Sequence, residues 1–337
     1  MKAIKHLNRK STFFVLLCAI FYIQVASASD LKEFPQLPSG FDNEFRFNNR
    51  FGVKGKVAFS AKIKNFQRIL VLDLDNRRIY KLIDGPGNNS YPNWSPKGDK
   101  IVFTSERDGN MEIYLASADG SQQERLTKNN RMDDNANWMP DGKSIVYLSE
   151  MPEPSRNLHT NIYILDLETK KRRQITNFSG KNSTPDASKD GKLIAYTTNR
   201  YWPGWDVCIY DLEKRKEYCP LSGTSTYCRP AWSPDGKTIA YSAGLLSTVN
   251  GYLLDVDTQK KHDLTKTDGS DYDLTWSADG EYIIFTSDHE KKDIYNIYIT
   301  KVNDNPDHEI YPLLTAPYSM RYLSWFEEQK ESNNDES

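Results

Sequence analysis

The chain has 337 residues, with 44 basic against 46 acidic side chains and 38% hydrophobic content. That is ample for a large packed core, and the near-neutral balance offers no basic field for nucleic acid.

Residues 1–28 read as a secretory signal. Lys2, Lys5, Arg9 and Lys10 precede an apolar core, Thr12–Val25, and then Ala26-Ser27-Ala28, an A-x-A cleavage site. The apolar core is too short to span a bilayer, so cleavage with no stable membrane insertion afterwards is expected. Leu17 stands before Cys18 where lipidation wants a small residue, so no lipid anchor is expected. The mature chain then carries 40 basic against 46 acidic residues, a net charge of −6. Residues 29–56 form an N-terminal arm rich in phenylalanine (Phe34, Phe41, Phe45, Phe47, Phe51), broken early by Pro35, Pro38 and Gly40. Such an arm either grips a partner or packs on the edge of the domain that follows. The second is expected, because exposed aromatics are costly.

A repeat starts at residue 57. Trp94, Trp138, Trp232, Trp276 and Trp325 fall in register, with Ala187 at the same position, at steps of 44, 49, 45, 44 and 49 residues. A Gly turn follows each of the first five: Lys97-Gly98, Asp141-Gly142, Asp190-Gly191, Asp235-Gly236 and Asp279-Gly280. Asp-Gly between apolar runs is a strong hairpin signal, because both residues tolerate positive φ. An apolar run (Ile101-Val102-Phe103 in the first copy), a third strand (Ile113–Leu115) and a closing Leu126-Thr127 complete each unit. Four short β-branched and aromatic strands at this period predict an all-β propeller; helical repeats of similar period lack the Gly turns and the β-branched runs. Residues 57–83 supply three strands without a first, and Arg321–Trp325 a first strand with nothing after it. The expectation is therefore a six-bladed propeller of four-stranded blades over 57–326, closed by the C-terminal strand completing the first blade. Residues 327–337 are a polar acidic tail, expected to be disordered.

The intact Trp-Ser-Pro-Asp-Gly-Lys segment (Trp232–Lys237), the I-x-Y third strand and the terminal Leu-Thr resemble the TolB-like six-bladed β-propellers, whose namesake is the periplasmic component of the Tol–Pal envelope system. The resemblance implies a periplasmic or secreted protein, a Pal-like lipoprotein partner, and a role in envelope integrity or import. TolB also has an N-terminal α/β domain, for which residues 29–56 are too short.

Cleavage leaves Cys208, Cys219 and Cys228. Export permits a disulfide, either Cys208–Cys219 across neighbouring strands or Cys219–Cys228 around a short loop, unless all three are simply small strand hydrophobes. No cysteine spacing resembles a zinc site.

First strands of propeller blades line the central channel, and side chains alternate along a strand. Tyr91, Asn135, Thr184, Arg229, Asp273 and Tyr322 should then ring one mouth, where the strands begin. Asn93, Asn137 and Asp186 should line the channel beyond them. Pro92, Ala136, Pro185, Pro230, Leu274 and Leu323 should face the neighbouring sheets. The ring is the best site by geometry; the bland alternative is a hydrated channel with no ligand. Tyr201, Trp202 and Trp205 share one loop of the fourth blade and suit stacking on a sugar or gripping a protein. Glu150 and Glu153 lie in a Pro-containing loop of the third blade. Asp133, Asp134, Asp268, Asp271 and Asp273 could hold Ca²⁺, but with no dense ligand run they are expected to be solvated loop acids.

Catalysis has little support. His6 leaves with the signal, His159 and His289 fall in loops on opposite sides of the ring, and His262 and His308 lie near outer strands. There is no nucleophile elbow, H-E-x-x-H or P-loop. The sequence therefore points to a monomeric, non-enzymatic binding propeller with no obligate cofactor, holding an envelope protein at its channel mouth or loop face. The runner-up is a carbohydrate-binding or carbohydrate-active propeller, using the tryptophan loop and the carboxylates of the mouth.

Overall fold

The computed structural model describes residues 45–63, 65–151, 159–201, 203–245, 248–303 and 309–328. The signal, the start of the arm, Glu153, Trp202, His308 and most of the acidic tail lie outside them.

Six antiparallel sheets are arranged as blades, each beginning with an inner strand: Asn89–Trp94, Asp133–Trp138, Asn182–Ala187, Thr226–Trp232, Asp271–Trp276 and, for the first blade, Met320–Phe326. That last strand pairs with Lys56–Ile63, placing Trp325 opposite Val57 and Ser324 opposite Ala58. The ring thus closes as expected, with chain segments from its two ends in one sheet, and closure leaves no blade with a bare face at the end of a stack.

Each second strand buries one aromatic at the same position: Phe59, Phe103, Tyr147, Tyr196, Tyr241 and Phe285, none more than 2% exposed. They fill the spaces between neighbouring sheets, alternating with the β-branched residues around them. Losing any of these aromatics to Ala would cost about 3–5 kcal/mol on ordinary core energetics.

The expected hairpins join first and second strands, each through a four-residue turn. In the second blade the Gly98 N–H donates to the Ser95 carbonyl at 2.8 Å, and the Ser95 N–H to that of Lys100 at 2.9 Å. The turn is therefore Ser-Pro-Lys-Gly, with positive φ only at the glycine: 64–75° at Gly98, Gly142, Gly191, Gly236 and Gly280. Pro presets the first turn angle and Gly takes the left-handed one. The Asp has another role: Asp190, Asp235 and Asp279 each accept from the turn serine (Ser188, Ser233, Ser277) and from a backbone N–H two residues on. Those bonds, the serine hydroxyl first, hold Asp190 and Asp235 below the usual carboxylate pKa.

In the second, third and fifth blades the outer strands end before their Leu-Thr or Ile-Thr; in the last blade the strand Ile310–Thr315 includes it. Leu264 and Ile175 instead drop into the core, and the Thr hydroxyls accept the N–H of Ile113, Ile162 and Gly251 at the start of the third strands. The arm adds an edge strand to the last blade: Arg46 and Phe47 pair with Thr315 and Leu314. Phe45 and Phe47 are buried, and Phe51 packs on Tyr282 and Tyr311 at 5.2 and 5.4 Å between centroids.

Candidate functional site: the central channel

One backbone feature recurs on all the inner strands. Tyr91, Asn135, Thr184, Arg229, Asp273 and Tyr322 have φ between 45° and 60°, the left-handed region. At each, the register against the second strand slips by one residue, a β-bulge. Bulges of this kind usually place glycine there, because a side chain in the left-handed region costs about 1–2 kcal/mol. Here none of the six is glycine, so all six keep their side chains.

Alternation would send Pro92, Ala136, Pro185, Pro230, Leu274 and Leu323 toward neighbouring sheets. Ala136 and Leu274 do pack in the cores between blades, and Leu323 packs on the cluster that joins the first and last blades. Pro92, Pro185, Pro230, Leu274 and Leu323 also border the channel cavity beside the ring. The cavity holds about 380 Å³. It runs from the ring past Asn93, Asn137, Asp186, Thr275 and Ser324 to the inner tryptophans and the turn residues Pro96, Pro234 and Glu327. The expected ring of six is therefore one structural level, but it stands two or three residues inside the strands, at the inner end of this cavity rather than at a strand-start mouth.

The ring concentrates charge. Asp273, only 7% exposed, pairs with Arg229 and accepts from Arg321 Nε at 2.7 Å and from the Tyr322 N–H at 3.0 Å. Burial alone would raise its pKa; the two guanidinia overturn that and hold it at about 2. Both guanidinia lie over tyrosine rings, Arg229 at 5.2 Å from Tyr322 and Arg321 at 4.3 Å from Tyr295. Tyr322 in turn stacks on Tyr91 with centroids 3.7 Å apart. Two cations share one carboxylate here, and the buried Asp134 lies within electrostatic reach of Arg229.

The next level ties blade to blade. Asn93 Nδ2 donates to the Ala136 carbonyl at 2.9 Å, and Asn137 Nδ2 to Asp186. Asp186 also accepts the Trp232 N–H at 2.7 Å. Desolvation pushes Asp186 up to about 7 against those bonds. Tryptophan indoles reinforce the belt, Trp138 donating to the Asn93 carbonyl and Trp276 to that of Ala231, each at 3.0 Å.

The acids expected in solvated loops are mostly elsewhere. Asp133, Asp134, Asp271 and Asp273 are buried on inner strands. Asp134 is held by Thr104 and Asn135, Asp133 by Asn129, and Asp271 by Thr265 and Thr267. Among the described residues no group of three or more His, Cys, Asp or Glu is placed to hold a metal ion. His159 accepts the Gly180 N–H at 2.6 Å, and His289 lies beside Ser287 and Tyr298.

The described residues of the fourth-blade loop do not line the channel cavity. Tyr201 is exposed on another surface, and the Trp205 carbonyl accepts the Tyr227 N–H at 2.8 Å, tying the loop to the next blade. Cys208 and Cys219 form a disulfide, and Cys228 is a free thiol whose burial raises its pKa to about 11. Sequence reasoning missed Arg321, Tyr272 and Tyr295. Arg321 immediately precedes a ring residue, and alternation would send it away from Asp273; the bulge brings both neighbours to the same carboxylate.

Residues 50–157 match the family described as the TolB beta propeller domain. The chain is 30% identical over 141 residues to an uncharacterized protein of Agrobacterium fabrum, 40% of this chain and 47% of that one. It is 36% identical over 124 residues to the Tol-Pal system protein TolB of a Wolbachia from Drosophila simulans, 36% of this chain and 28% of that one. The matches thus span less than half of either curated relative. Among solved structures, TolB from Acinetobacter baumannii superposes with a TM-score of 0.67 at 21% identity, over 83% of this chain and 68% of that one. This is a likeness of fold.

Proposed function

We propose that this chain, a TolB-like six-bladed β-propeller, is a binding scaffold of the cell envelope, and that its channel cavity receives a segment of a protein partner. One observation carries the reading: six non-glycine residues are held in the left-handed region around a single cavity. Strain repeated at one level and directed at one void is the mark of a site whose side chains matter more than local stability. The cavity also fits a binding role chemically. It presents amides, hydroxyls, aromatic rings, an arginine and the carboxylates of Asp186, Asp273 and Glu327, a polar lining suited to hydrogen-bonding a partner segment.

Likeness to TolB suggests the partner class, a peptidoglycan-associated lipoprotein, and the compartment, the periplasm. The secretory-type residues 1–28 agree with that compartment. Ring and channel residues (Tyr91, Asn135, Thr184, Arg229, Asp273, Tyr322, Asn93, Asn137, Asp186) are the proposed contacts.

Retention from envelope extract, followed by calorimetry with the purified lipoprotein, tests the reading. Wild type should retain the lipoprotein. Thr275→Trp, which fills the cavity from a position lining its wall, should lose it while melting within a few degrees of wild type. Retention undiminished in Thr275→Trp would place the partner elsewhere, and no retained protein would sink the scaffold reading.

A further inference from the structure

A second pocket lies on the outer part of the fourth blade, away from the channel. Its construction starts with Arg200, which is sandwiched between the Phe178 and Tyr201 rings at 3.8 and 4.6 Å. Arg200 pairs with Glu217, and Glu217 also accepts the Tyr196 hydroxyl. One face of Tyr201 is thereby fixed on a cation, while the residue remains 53% exposed.

The opposite wall is the outer strand, Lys216–Leu221. Leu221 pairs with Val207 but Tyr218 with Ile209, so a bulge falls at Cys219-Pro220. Proline is tolerated on an edge strand, and a bulge re-aims side chains. The Cys208–Cys219 disulfide anchors this strand to its neighbour. Tyr218 stands at that anchor, 44% exposed.

Between the two tyrosines lies a cavity of about 550 Å³, lined also by Asp206, Glu217, Ser222 and Thr224. Asp206 is fully buried; its Oδ1 accepts the Gly223 N–H at 3.2 Å, and its Oδ2 has no hydrogen-bond partner among the described residues. An unmet carboxylate oxygen at the wall of a cavity calls for a donor from a ligand.

The ligand must therefore offer hydrogen-bond donors at its edge and a flat apolar face to tyrosine rings. It must also fill a volume suited to a small molecule rather than to one side chain. Arg200 already compensates Glu217, and burial raises the pKa of Asp206, so the pocket has little use for a cation. We infer that the Tyr201–Tyr218 pocket binds one or two rings of a neutral oligosaccharide, ring faces on the tyrosines and hydroxyls toward Asp206. This site is independent of the channel and of the protein partner proposed there.

The full oxidised chain is applied to a glycan array, and the best neutral oligosaccharide is then titrated by calorimetry. Saturable binding is expected, weakened at least 10-fold by Tyr218→Ala and by Tyr201→Ala. Both residues are exposed, so melting temperature and lipoprotein retention should not change. No neutral glycan bound, binding untouched by both substitutions, or preference for a lysine-rich peptide over every neutral glycan would each overturn the assignment. Loss of glycan binding in Thr275→Trp but not in the tyrosine variants would move the sugar to the channel and overturn it equally.

Discussion

Asp273 and Asp186 are both carboxylates of the channel wall, and their surroundings drive them in opposite directions. Asp273 has two guanidinia within reach and titrates at about 2. Its ionised form contributes stability that is present above the unfolded value of 3.8 and is lost as pH falls through 2. Asp273→Asn would leave two partly buried cations without their shared anion, so a loss of up to about 3–5 kcal/mol is expected in denaturant titration at neutral pH. A loss below about 1 kcal/mol, the range of an exposed pair, would mean the guanidinia find other partners. Asp186 has only neutral donors and is pushed up to about 7. The folded state then holds a proton that the unfolded chain releases near 3.8, so the Asp186 contribution to stability is greatest below that value and declines as pH rises to about 7. Asp186→Asn should remove this declining limb from a plot of melting temperature against pH; a limb unchanged in the variant would assign it to another group. The identity of both residues as channel-facing was legible from their position relative to the Trp. Their opposite charge behaviour was not, because it depends on Arg229 and Arg321, which other blades supply.

At the scale of the element, the turn between first and second strands, which ends in glycine, links neighbouring blades as well as neighbouring strands. A Cβ on Gly191 would meet Pro140 of the preceding blade at 3.2 Å, and one on Gly98 would collide with the Phe326 ring. The glycine is needed twice, for a φ of 71° at Gly191 and for the close approach of the next turn. Gly52 has a similar positive φ of 65°, but a methyl group there would meet nothing within 4 Å, so only the backbone term applies. Gly191→Ala is therefore expected to cost about 1–2 kcal/mol from backbone strain, plus the displacement of Pro140. Gly52→Ala should cost less, and thermal melts of the two variants compare them. Equal losses would show that the interlock of turns adds nothing. The strand order within each blade was readable from spacing, since Trp, Gly turn, apolar run and Leu-Thr each mark one segment. The bulges were not, because a left-handed Tyr or Arg has no local signal: Tyr91 and Arg229 look like ordinary strand residues until a partner strand is counted against them.

For the molecule as a whole, the ring stands or falls with its closing strand. Met320 is fully buried, and Leu323 and Trp325 pack on the core cluster that joins the first and last blades. Lys56–Ile63 has Met320–Phe326 as its inner partner. Ending the chain at Ser319 would expose that strand edge and the aliphatic core behind it. The expected outcome is loss of a single cooperative melt and aggregation from the open edge, seen by calorimetry and light scattering. A shortened chain that melts cooperatively near the wild-type temperature would show that five blades and a remnant suffice. The arm at Arg46–Phe47 covers the opposite, outer edge of the last blade, so it protects a different border.

What the sequence determined by itself was the periodic part. Hydrophobic alternation, Gly turns and a repeating Trp are local signals, and six copies of a unit that cannot bury both faces alone admit one closed solution. What only the tertiary structure decided was everything made by contact between copies. The bulge that brings Arg321 and Tyr322 to one carboxylate, the two arginines on one aspartate, the proline of one turn against the glycine of the next, and the pairing of Cys208 with Cys219 over Cys228 all depend on distances between strands. Those distances are set when the blades pack, and no spacing along the chain encodes them.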